Sequence, residues 1–529
     1  METIRLIGRS SRLSLLQIDI ARQFIEKHFP EIKVTVIARS SKGDALQETP
    51  LHTVEGSDFF TKDIFDALQS GEADIAVHSL KDMSSEHFFG TNVFAVIDRE
   101  DTRDVVIFNN NIEQKLKNGE TITIGTCSPR REAMATVFLK KALPQLNTTI
   151  NITTKPIRGN VETRLKKLNS GAYDATILAT AGLNRLLKSE GNINTEGISV
   201  KQLLADKKIM VLPLIECVPA PCQGAIVAEA NPANKRAVEI LNAINNLQLY
   251  ADCFAERTEA VKYGTGCIQK FGVTTLATQH GLHVYASGTD AEGTAFTRWV
   301  PAPALALQPN EVFSSTDVMK KFFSYEWDSD TTVESNEPVI FVSNFKAITK
   351  TAAHLLQYKG ATQPLLNNEL KAGDQKIIIA AGTRTWYELA KQGYWITACA
   401  DGLGFEFLLP SLSMPLLQIN TSNICIITNT TAALRWKQKG YKAISNYALK
   451  TNNDLQIIDQ LKKATAIFWS SFAQFEFYGN YANATAIHLC AGGETASLLK
   501  AAGVEPVIFP TIKSFELWKN SFTRLHNVV

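Results

Sequence analysis

Residues 73–82, ADIAVHSLKD, hold the clearest group of side chains able to do chemistry. The apolar residues at the centre of this segment predict a buried strand. Four polar residues follow at its end: His78, Ser79, Lys81 and Asp82. Open α/β sheets bind ligands at the carboxyl ends of their parallel strands, so the order predicts a site that joins a carboxylate, an ammonium group and a hydroxyl. The alternative is a polar strand end with a solvated Lys–Asp pair, and spacing alone leaves both open.

Two further clusters place guanidinium groups after predicted strands. They lie in GTCSPRR (125–131) and IRGNVETR (157–164) and contain Arg130, Arg131, Arg158 and Arg164. The start of a helix favours anions through its unpaired N–H groups and its dipole. Each arginine alone could be a solvated surface charge, but four at two strand ends predict a grip on an anion with several acidic groups, because guanidinium binds carboxylate or phosphate with two hydrogen bonds.

The elements that carry these clusters follow a repeating pattern. The predicted order is strand 4–7, helix 11–27, strand 34–37, helix 62–69 and strand 74–77. A second unit opens at 122–125, continues through helices near 130–142 and 160–169, and ends with the strand 175–178. This βαβα order predicts a mainly parallel sheet with helices on both faces. The apolar stretch from Ile209 to Ile215 could return the chain to the first sheet.

The length of 529 residues exceeds what one hydrophobic core can support, so several domains are expected. The predicted order is a first domain at 1–98 with 196–218, a second at 99–195, a small α+β domain at 222–322, a polar linker at 323–337 and a two-lobed α/β domain at 338–529. The last domain is expected from a repeat, in which 377–385 is similar to 487–495 and 339–344 is similar to 424–429.

Composition and charge limit the classes of partner. A hydrophobic share of 45 % and a charged share of 20 % are those of an ordinary globular chain, and a net charge of +2 provides no large basic field. Nucleic acid is therefore not expected as a partner. No apolar run has the length of a signal peptide or a membrane span, so we expect a cytoplasmic protein without membrane contact. A monomer is also expected.

The eight cysteines are scattered, which favours free thiols over a disulfide framework. Cys217 and Cys222 form the closest pair, but no second pair of Cys or His lies nearby. Buried thiols are therefore expected there, with a metal site as the less favoured alternative. Arginine is distributed unevenly, with fifteen of the eighteen arginines before residue 300. The first half is thus the better candidate for an anion site.

Several motifs, in one order along about 300 residues, resemble the hydroxymethylbilane synthase family, also called the porphobilinogen deaminases. They are ADIAVHSLKD, GTCSPRR, IRGNVETRL, ILATAGLNRL and the Gly266–Cys267 turn, and GRSSRLSLLQ, SKGD and REDTRD extend the match. The resemblance implies two periplasmic-binding-protein-like domains with parallel or mixed sheets, plus a small α+β domain. It also implies a dipyrromethane cofactor, bound by a thioether to Cys267, on which four porphobilinogens are joined head to tail with loss of ammonia.

The resemblance further implies a role for each cluster. Asp82 would be the catalytic carboxylate that supplies a proton to the leaving amine and opposes positive charge on the substrate. Groups that hold the cofactor would be Cys267, Ser79, Lys81, Asp82, Ser128, Arg130, Arg131 and Arg164. Groups that bind the incoming substrate would be Arg9, Ser11, Arg158 and Arg185. The structure of the substrate agrees with these roles, because every porphobilinogen ring that is added brings an acetate and a propionate for guanidinium groups to hold.

Each half of the chain leaves an alternative open. The first half could be a solute-binding module, since the same architecture captures anions without chemistry and would need neither Cys267 nor Asp82. Residues 338–529 resemble uroporphyrinogen-III synthase, the enzyme that cyclises hydroxymethylbilane, through FWSS (468–471) and GGETA (492–496). This implies a transferase fused to a second, cyclising activity in porphyrin and haem biosynthesis. The alternative is a non-catalytic domain that serves folding or interaction.

Overall fold

A computed structural model describes residues 2–40, 62–147, 149–190, 199–264, 269–302, 307, 311–327, 334–349, 352–359, 363–365 and 368–525. The strands of the first half are β1 (Thr3–Arg9), β2 (Lys33–Arg39), β3 (Ile75–Ser79), β4 (Val93–Arg99), β5 (Asp104–Phe108), β6 (Ile122–Gly125), β7 (Ile152–Lys155), β8 (Ala175–Ala179), β9 (Lys208–Val211), β10 (Ala225–Ala230), β11 (Lys270–Thr278), β12 (Gly281–Thr289) and β13 (Ala295–Val300). Its helices are α1 (Arg12–His28), α2 (Lys62–Gln69), α3 (Ser85–Phe88), α4 (Ile112–Lys117), α5 (Pro129–Ala142), α6 (Val161–Asn169), α7 (Thr180–Ser189), α8 (Val200–Leu204), α9 (Lys235–Ile244) and α10 (Leu247–Ala260).

The first half contains two similar mixed sheets. The first sheet has the order β2-β1-β3-β10-β4, and the second has the order β7-β6-β8-β5-β9. In each sheet one strand runs antiparallel to a central parallel group, β10 against β3 and β5 against β8. The chain crosses between the sheets twice, from β4 to β5 and from β9 to β10. The expected class of two α/β domains with mixed sheets is therefore confirmed.

The return to the first sheet differs from the prediction. The segment Lys208–Val211 pairs with β5 in the second sheet, whereas β10 is the strand that enters the first sheet. Residues 225–230 thus join the first sheet, although the expected boundary assigned them to the third domain. The reason is that a short apolar run shows burial but not which sheet it enters. All six residues of β10 are buried, as a central strand requires.

The third unit is a three-stranded antiparallel sheet, β11-β12-β13, against which α10 packs. Its core contains Ala260 of the helix and Phe271, Val273, Val284 and Ala286 of the strands. The tip of the β11–β12 hairpin, residues 278–281, points toward the C-terminal part of the chain, because Gln279 and His280 hydrogen-bond there. The expected small α+β domain is therefore confirmed, as an antiparallel sheet with one helix packed on it.

The second half adds strands and helices in two lobes. Its strands are β14 (Val312–Ser314), β15 (Phe323–Trp327), β16 (Val339–Val342), β17 (Gln363–Leu365), β18 (Asn368–Leu370), β19 (Ile377–Ala380), β20 (Ile396–Cys399), β21 (Ile424–Thr428), β22 (Lys442–Ser445), β23 (Tyr447–Thr451), β24 (Ala466–Trp469), β25 (Ile487–Ala491) and β26 (Val507–Phe509). Its helices are α11 (Met319–Phe322), α12 (Thr383–Lys391), α13 (Phe405–Leu412), α14 (Thr430–Gln438), α15 (Leu455–Lys463), α16 (Phe472–Tyr478), α17 (Glu494–Ala501) and α18 (Ile512–Leu525). None of the described helices is long and apolar enough to cross a membrane.

We call residues 339–446 the middle lobe and residues 312–322 with 452–525 the last lobe. The middle lobe holds the parallel sheet β20-β19-β16-β21-β22, and the last lobe holds the parallel sheet β14-β24-β25-β26. The chain enters the last lobe first, at β14, and then crosses to the middle lobe along β15, which pairs antiparallel with the returning strand β23. The C-terminal unit therefore begins near residue 312 and not at 338.

Two sequence expectations are wrong at this point. The expected linker at 323–337 opens with strand β15, whose largely exposed residues gave no burial signal. The similar segments 339–344 and 424–429 are neighbours in one sheet and not equivalents in two subdomains. The other pairing does separate as expected, because β19 lies in the middle lobe and β25 in the last lobe.

The middle lobe packs tightly on the second sheet. Trp386 is fully buried; its Nε1 donates to the carbonyl of Ala142 at 2.9 Å, and its ring meets Phe138 edge to face at 5.2 Å. Trp395 likewise donates to the carbonyl of Ile209 at 3.2 Å. One hydrophobic cluster includes side chains from both units. The C-terminal unit is therefore not a separate domain on a tether, as expected, but forms one packed body with the second sheet.

Candidate active site

The carboxyl ends of β1 and β3 meet at a small cavity in the first sheet. The cavity has a volume of about 90 Å³ and is lined by Arg9, Ser11, Leu13, Ser14, Gln17, Val77, His78, Ser79 and Asp82. Ser11 begins helix α1, where its hydroxyl accepts from the N–H of Ser14. Gln17 Nε2 donates to Ser79 Oγ at 2.7 Å, which fixes the hydroxyl at the strand end. The structure thus brings together four predicted site residues, Arg9, Ser11, Ser79 and Asp82.

The carboxyl ends of the second sheet hold a buried ion cluster. Asp104, at the start of β5, accepts from Arg130 Nη2 at 2.8 Å and from Arg131 Nη2 at 2.7 Å. Gln223 Nε2 adds a third hydrogen bond, at 2.9 Å. Burial by itself would raise the pKa of Asp104, but the two guanidinium groups outweigh it and hold that pKa far below the ordinary aspartate value. The carboxylate stays charged and fixes the orientation of both arginines.

Lys81 lies between the two strand-end clusters. Burial lowers the pKa of Lys81 to about 8, while the nearby charge of Asp82 opposes that change and Arg131 adds to it. Asp82 follows β3 of the first sheet, Arg131 lies in the first turn of α5 beside the second sheet, and the charges of both act on Lys81. The two sheets therefore form one polar cleft with their carboxyl ends.

Three further predicted residues border the second cluster. Ser128 begins helix α5, and its hydroxyl accepts from the N–H of Arg131 at 3.4 Å. Arg164 Nε donates to the carbonyl of Gly159 at 2.9 Å. Burial lowers the pKa of Arg164, and the like charges of Arg131 and Arg158 lower it further, so these guanidinium groups lie close enough to repel.

Arg185 and Cys267 stand apart from this arrangement. Arg185 is 5 % exposed and donates to Asp98 Oδ2 at 2.8 Å and to the carbonyl of Gly224 at 2.7 Å. It thus ties helix α7 to the end of β4 and to the second crossover, and its role toward substrate stays a prediction. Cys267 lies outside the described residues. Beside it, Gln269 Nε2 donates to the carbonyl of Gly264 at 3.0 Å, which joins the two flanks of that loop.

Sequence reasoning missed the acidic and amide groups that hold the site together. Asp104 is one, although a pair of buried arginines always needs a counter-charge and REDTRD offered one nearby. Another is Glu229 on β10, which is fully buried and bonded to His78 at 3.1 Å and to His87 at 2.6 Å. Burial alone would raise the pKa of Glu229, but the two hydrogen bonds outweigh burial and lower that pKa to about 2. No sequence spacing signalled this pair of contacts, which span more than 140 residues.

The cleft has the charge that a polycarboxylate requires. The charges that act on one another there are the cations of Lys81, Arg130, Arg131 and Arg164 and the carboxylates of Asp82 and Asp104. Arg131 Nε is also buried with no hydrogen-bond partner among the described residues. A bound carboxylate would satisfy that N–H and offset the excess positive charge. The residues present therefore fit a cofactor that carries several carboxylates.

Fold and site together are those of an α/β protein with a cation-rich cleft between two mixed sheets, a class suited to an anionic, carboxylate-rich ligand. A family model described as "Porphobilinogen deaminase, dipyromethane cofactor binding domain" matches residues 4–239. The porphobilinogen deaminase of a Geobacter species is 35 % identical over 278 residues, 52 % of this chain and 79 % of that protein. The one from Chromobacterium violaceum is 33 % identical over 294 residues, 55 % of this chain and 86 % of that protein. The chain belongs to the porphobilinogen deaminase family.

Solved structures show slighter likenesses. A second substrate-binding domain of an amino acid ABC transporter from Streptococcus pneumoniae has a TM-score of 0.26 and 15 % identity, over 51 % of this chain and all of that one. YhfZ from Shigella flexneri has a TM-score of 0.22 and 13 % identity, over 49 % of this chain and 96 % of that one. Scores this low say nothing about function. The family match carries the activity, a porphobilinogen-deaminating transferase with a dipyrromethane cofactor.

Proposed function

We propose that the chain joins four porphobilinogens into hydroxymethylbilane on a dipyrromethane primer held by Cys267, and that its C-terminal lobes cyclise this product. The observation that carries the first part is the cleft itself, in which Asp82 faces a group of cations from both sheets. The carboxylate can donate a proton to the leaving amine and oppose the positive charge left on the substrate pyrrole. A solute-binding module would need no such carboxylate, and the family match disfavours that alternative.

The cofactor, once bound, supplies the free pyrrole carbon to which the first substrate is joined. Ser79, Lys81, Ser128, Arg130, Arg131 and Arg164 would hold its carboxylates. Arg9 and Ser11, which line the small cavity together with Ser79 and Asp82, would bind the acetate and propionate of the incoming porphobilinogen, and Arg158 lies near Arg164. Asp104 contributes indirectly, since it fixes both guanidinium forks before any ligand arrives.

The proposed second activity rests on the boundary between the two C-terminal lobes, which we call the interlobe cleft. Gly404 and Gly493 immediately precede helices α13 and α17, and these two glycines approach each other closely where the lobes meet. Neither helix start has a side-chain cap, so backbone N–H groups there can bind carboxylates where arginine is scarce. The motif FWSS gives less support to a cyclase, because its Trp469 is fully buried in the last lobe and the N–H of Ser470 donates to Ser315.

The packed seam with the second sheet favours the alternative of a non-catalytic interaction domain. That seam buries Trp386 and Trp395 against the first half, which is the contact an accessory domain would make. A product assay on the full chain separates the two readings. Cutting the chain near residue 330 would expose the apolar seam, so truncation is a poor comparison.

The assay supplies the purified chain with porphobilinogen and identifies the porphyrin isomers after oxidation. In one arm the protein is removed by rapid filtration after a short reaction, so that released hydroxymethylbilane closes on its own to the symmetrical type I isomer. In the other arm the protein remains. We expect a larger share of type I in the first arm, where the cyclase is removed early, and mainly type III in the second. Type I in both arms would refute the cyclase and leave the interaction domain, while intact mass should show the added dipyrromethane in either case.

A further inference from the structure

A carboxylate of the first half reaches into the mouth of the C-terminal cleft. Glu216 lies in the crossover between β9 and β10, outside both lobes. Its Oε1 accepts from Thr383 Oγ1 at 3.5 Å and pairs with Lys513 Nζ at 3.5 Å. Thr383 is the first residue of α12 in the middle lobe, and Lys513 lies in the first turn of α18 in the last lobe. One carboxylate oxygen therefore joins both lobes.

The position of these two groups is that of a ligand site. Thr383 follows the carboxyl end of β19, and Lys513 follows the carboxyl end of β26, the sheet edge at which open α/β folds bind ligands. Gly382 precedes helix α12 and provides no side-chain cap, so the first N–H groups of the helix add to the attraction for an anion. Lys513 has no other acidic partner among the described residues. The hydroxyl and the ammonium group thus share a single carboxylate oxygen next to a helix start.

The third unit of the first half covers the same mouth. Gln279 Nε2, at the tip of the β11–β12 hairpin, donates to Ser497 Oγ at 2.9 Å. His280 Nε2 lies 3.3 Å from the carbonyl of Gly493, at the start of α17. Glu216 and this hairpin therefore approach the cleft from one side, each touching the ligand-binding edge of a lobe. The mouth of the cleft opens toward the first half of the chain.

We propose that Thr383 and Lys513 form a carboxylate-binding subsite of the interlobe cleft, which Glu216 occupies as an internal substitute for a ligand carboxylate. The ligand class is a tetrapyrrole with several carboxylates, and the assignment to a tetrapyrrole rests on the proposed cyclase function. An incoming carboxylate takes the place of Glu216 on Lys513 and Thr383, so the number of ion pairs is unchanged by the exchange. Lys513 is 46 % exposed and Glu216 is 26 % exposed, so the contact is one that water and a ligand can reach.

The test measures binding of uroporphyrin III, a stable porphyrin with eight carboxylates, to the full chain with its cofactor in place, by porphyrin fluorescence at low ionic strength. Glu216→Gln frees the subsite and should lower the Kd about two- to fivefold, the range that a partly exposed ion pair allows. Lys513→Met should raise the Kd by a similar factor. In the double variant the gain from Glu216→Gln should vanish, because the group it liberates is gone.

Lys519→Met is the matched control, since Lys519 lies on the same helix but pairs with Asp317 of its own lobe. The Kd of this variant for uroporphyrin III should equal that of the unmodified chain. Unchanged binding in Glu216→Gln, the same gain with and without Lys513, or no measurable binding at all would each overturn the subsite. The isomer assay reports separately on the cyclase. Type III product with unresponsive variants refutes only the subsite, and responsive variants with type I product refute only the cyclase.

Discussion

Replacing Asp104 by Asn tests whether this carboxylate organises the deaminase site. The side chain of Asp104 is 1 % exposed, and its two partners Arg130 and Arg131 are 6 % and 10 % exposed. The substitution keeps the size of the side chain and one acceptor oxygen. It removes the charge and turns an N–H₂ group toward a guanidinium group that can only donate. Both buried cations then lose their only carboxylate partner among the described residues.

The burial of these three groups allows the loss of folding free energy to be estimated. Removing one partner from a buried ion pair costs about 3–5 kcal/mol, because an uncompensated charge is left behind. Asn keeps one acceptor, so we expect the lower end, about 3 kcal/mol, a large share of a typical folding free energy of about 5–15 kcal/mol. Because the folded pKa of Asp104 is lowered, its contribution is present above the unfolded value of about 3.9 and is lost as the pH falls below it.

Urea unfolding of the full chain at pH 7 measures the change, and intact mass measures whether the cofactor is still attached. Asp98→Asn is the control, because Asp98 also pairs with an arginine, Arg185, but is 34 % exposed and should cost under about 1 kcal/mol. Adding Arg131→Gln to Asp104→Asn should recover part of the loss, since one orphaned cation is then gone. An Asp104 variant as stable as the Asp98 variant, with normal cofactor content, would refute the reasoning.

Four other outcomes are expected. Asp82→Asn should cut the rate of porphobilinogen consumption by several orders of magnitude at unchanged stability and cofactor mass, because this carboxylate is exposed; a loss under about tenfold would contradict its role in proton transfer. Arg131→Leu should abolish the mass of the bound cofactor, whereas Arg9→Leu should keep that mass and raise KM; equal behaviour of the two would contradict the division. Cys267→Ser should carry no added mass, and an adduct on another thiol would disprove the assignment. Burial raises the pKa of Asp401 to about 6, so stability should fall as the pH rises from about 4 to about 6, and Asp401→Asn should remove that slope in urea unfolding.

The local part of the site could be predicted from the sequence. The run ADIAVHSLKD gave strand β3 and the polar residues at its end, because burial of one face and the switch to polar residues are both local signals. The predicted helices near 62–69 and 130–142 are confirmed for the same reason. What the local pattern could not give is the partner of each charge. Asp104 meets Arg130 across 26 residues, and only the folded sheet brings them together.

The seam between the two halves shows a different limit of sequence reasoning. Helix α12 has an apolar face built on Trp386 and Leu389, which reads as the core side of any amphipathic helix. That face packs on Phe138 of the first half. The apolar period of the helix therefore predicted that the face is buried, but not which part of the chain covers it. The same limit applies to β9 and β20, edge strands whose unpaired sides lie beside each other.

The seam also bears on how the two sheets of the first half can move. Arg103, the residue before Asp104, donates to Ser411 Oγ at 2.6 Å in the middle lobe, and Asp401 of that lobe accepts from the N–H of Ile215 at 3.2 Å. Arg103 lies on the first crossover between the two sheets and Ile215 on the second. The middle lobe therefore holds both crossovers as well as the second sheet. Because close-packed interiors resist deformation, a rotation of the first sheet against the second would also be a rotation against the middle lobe, next to the arginine pair that Asp104 orients.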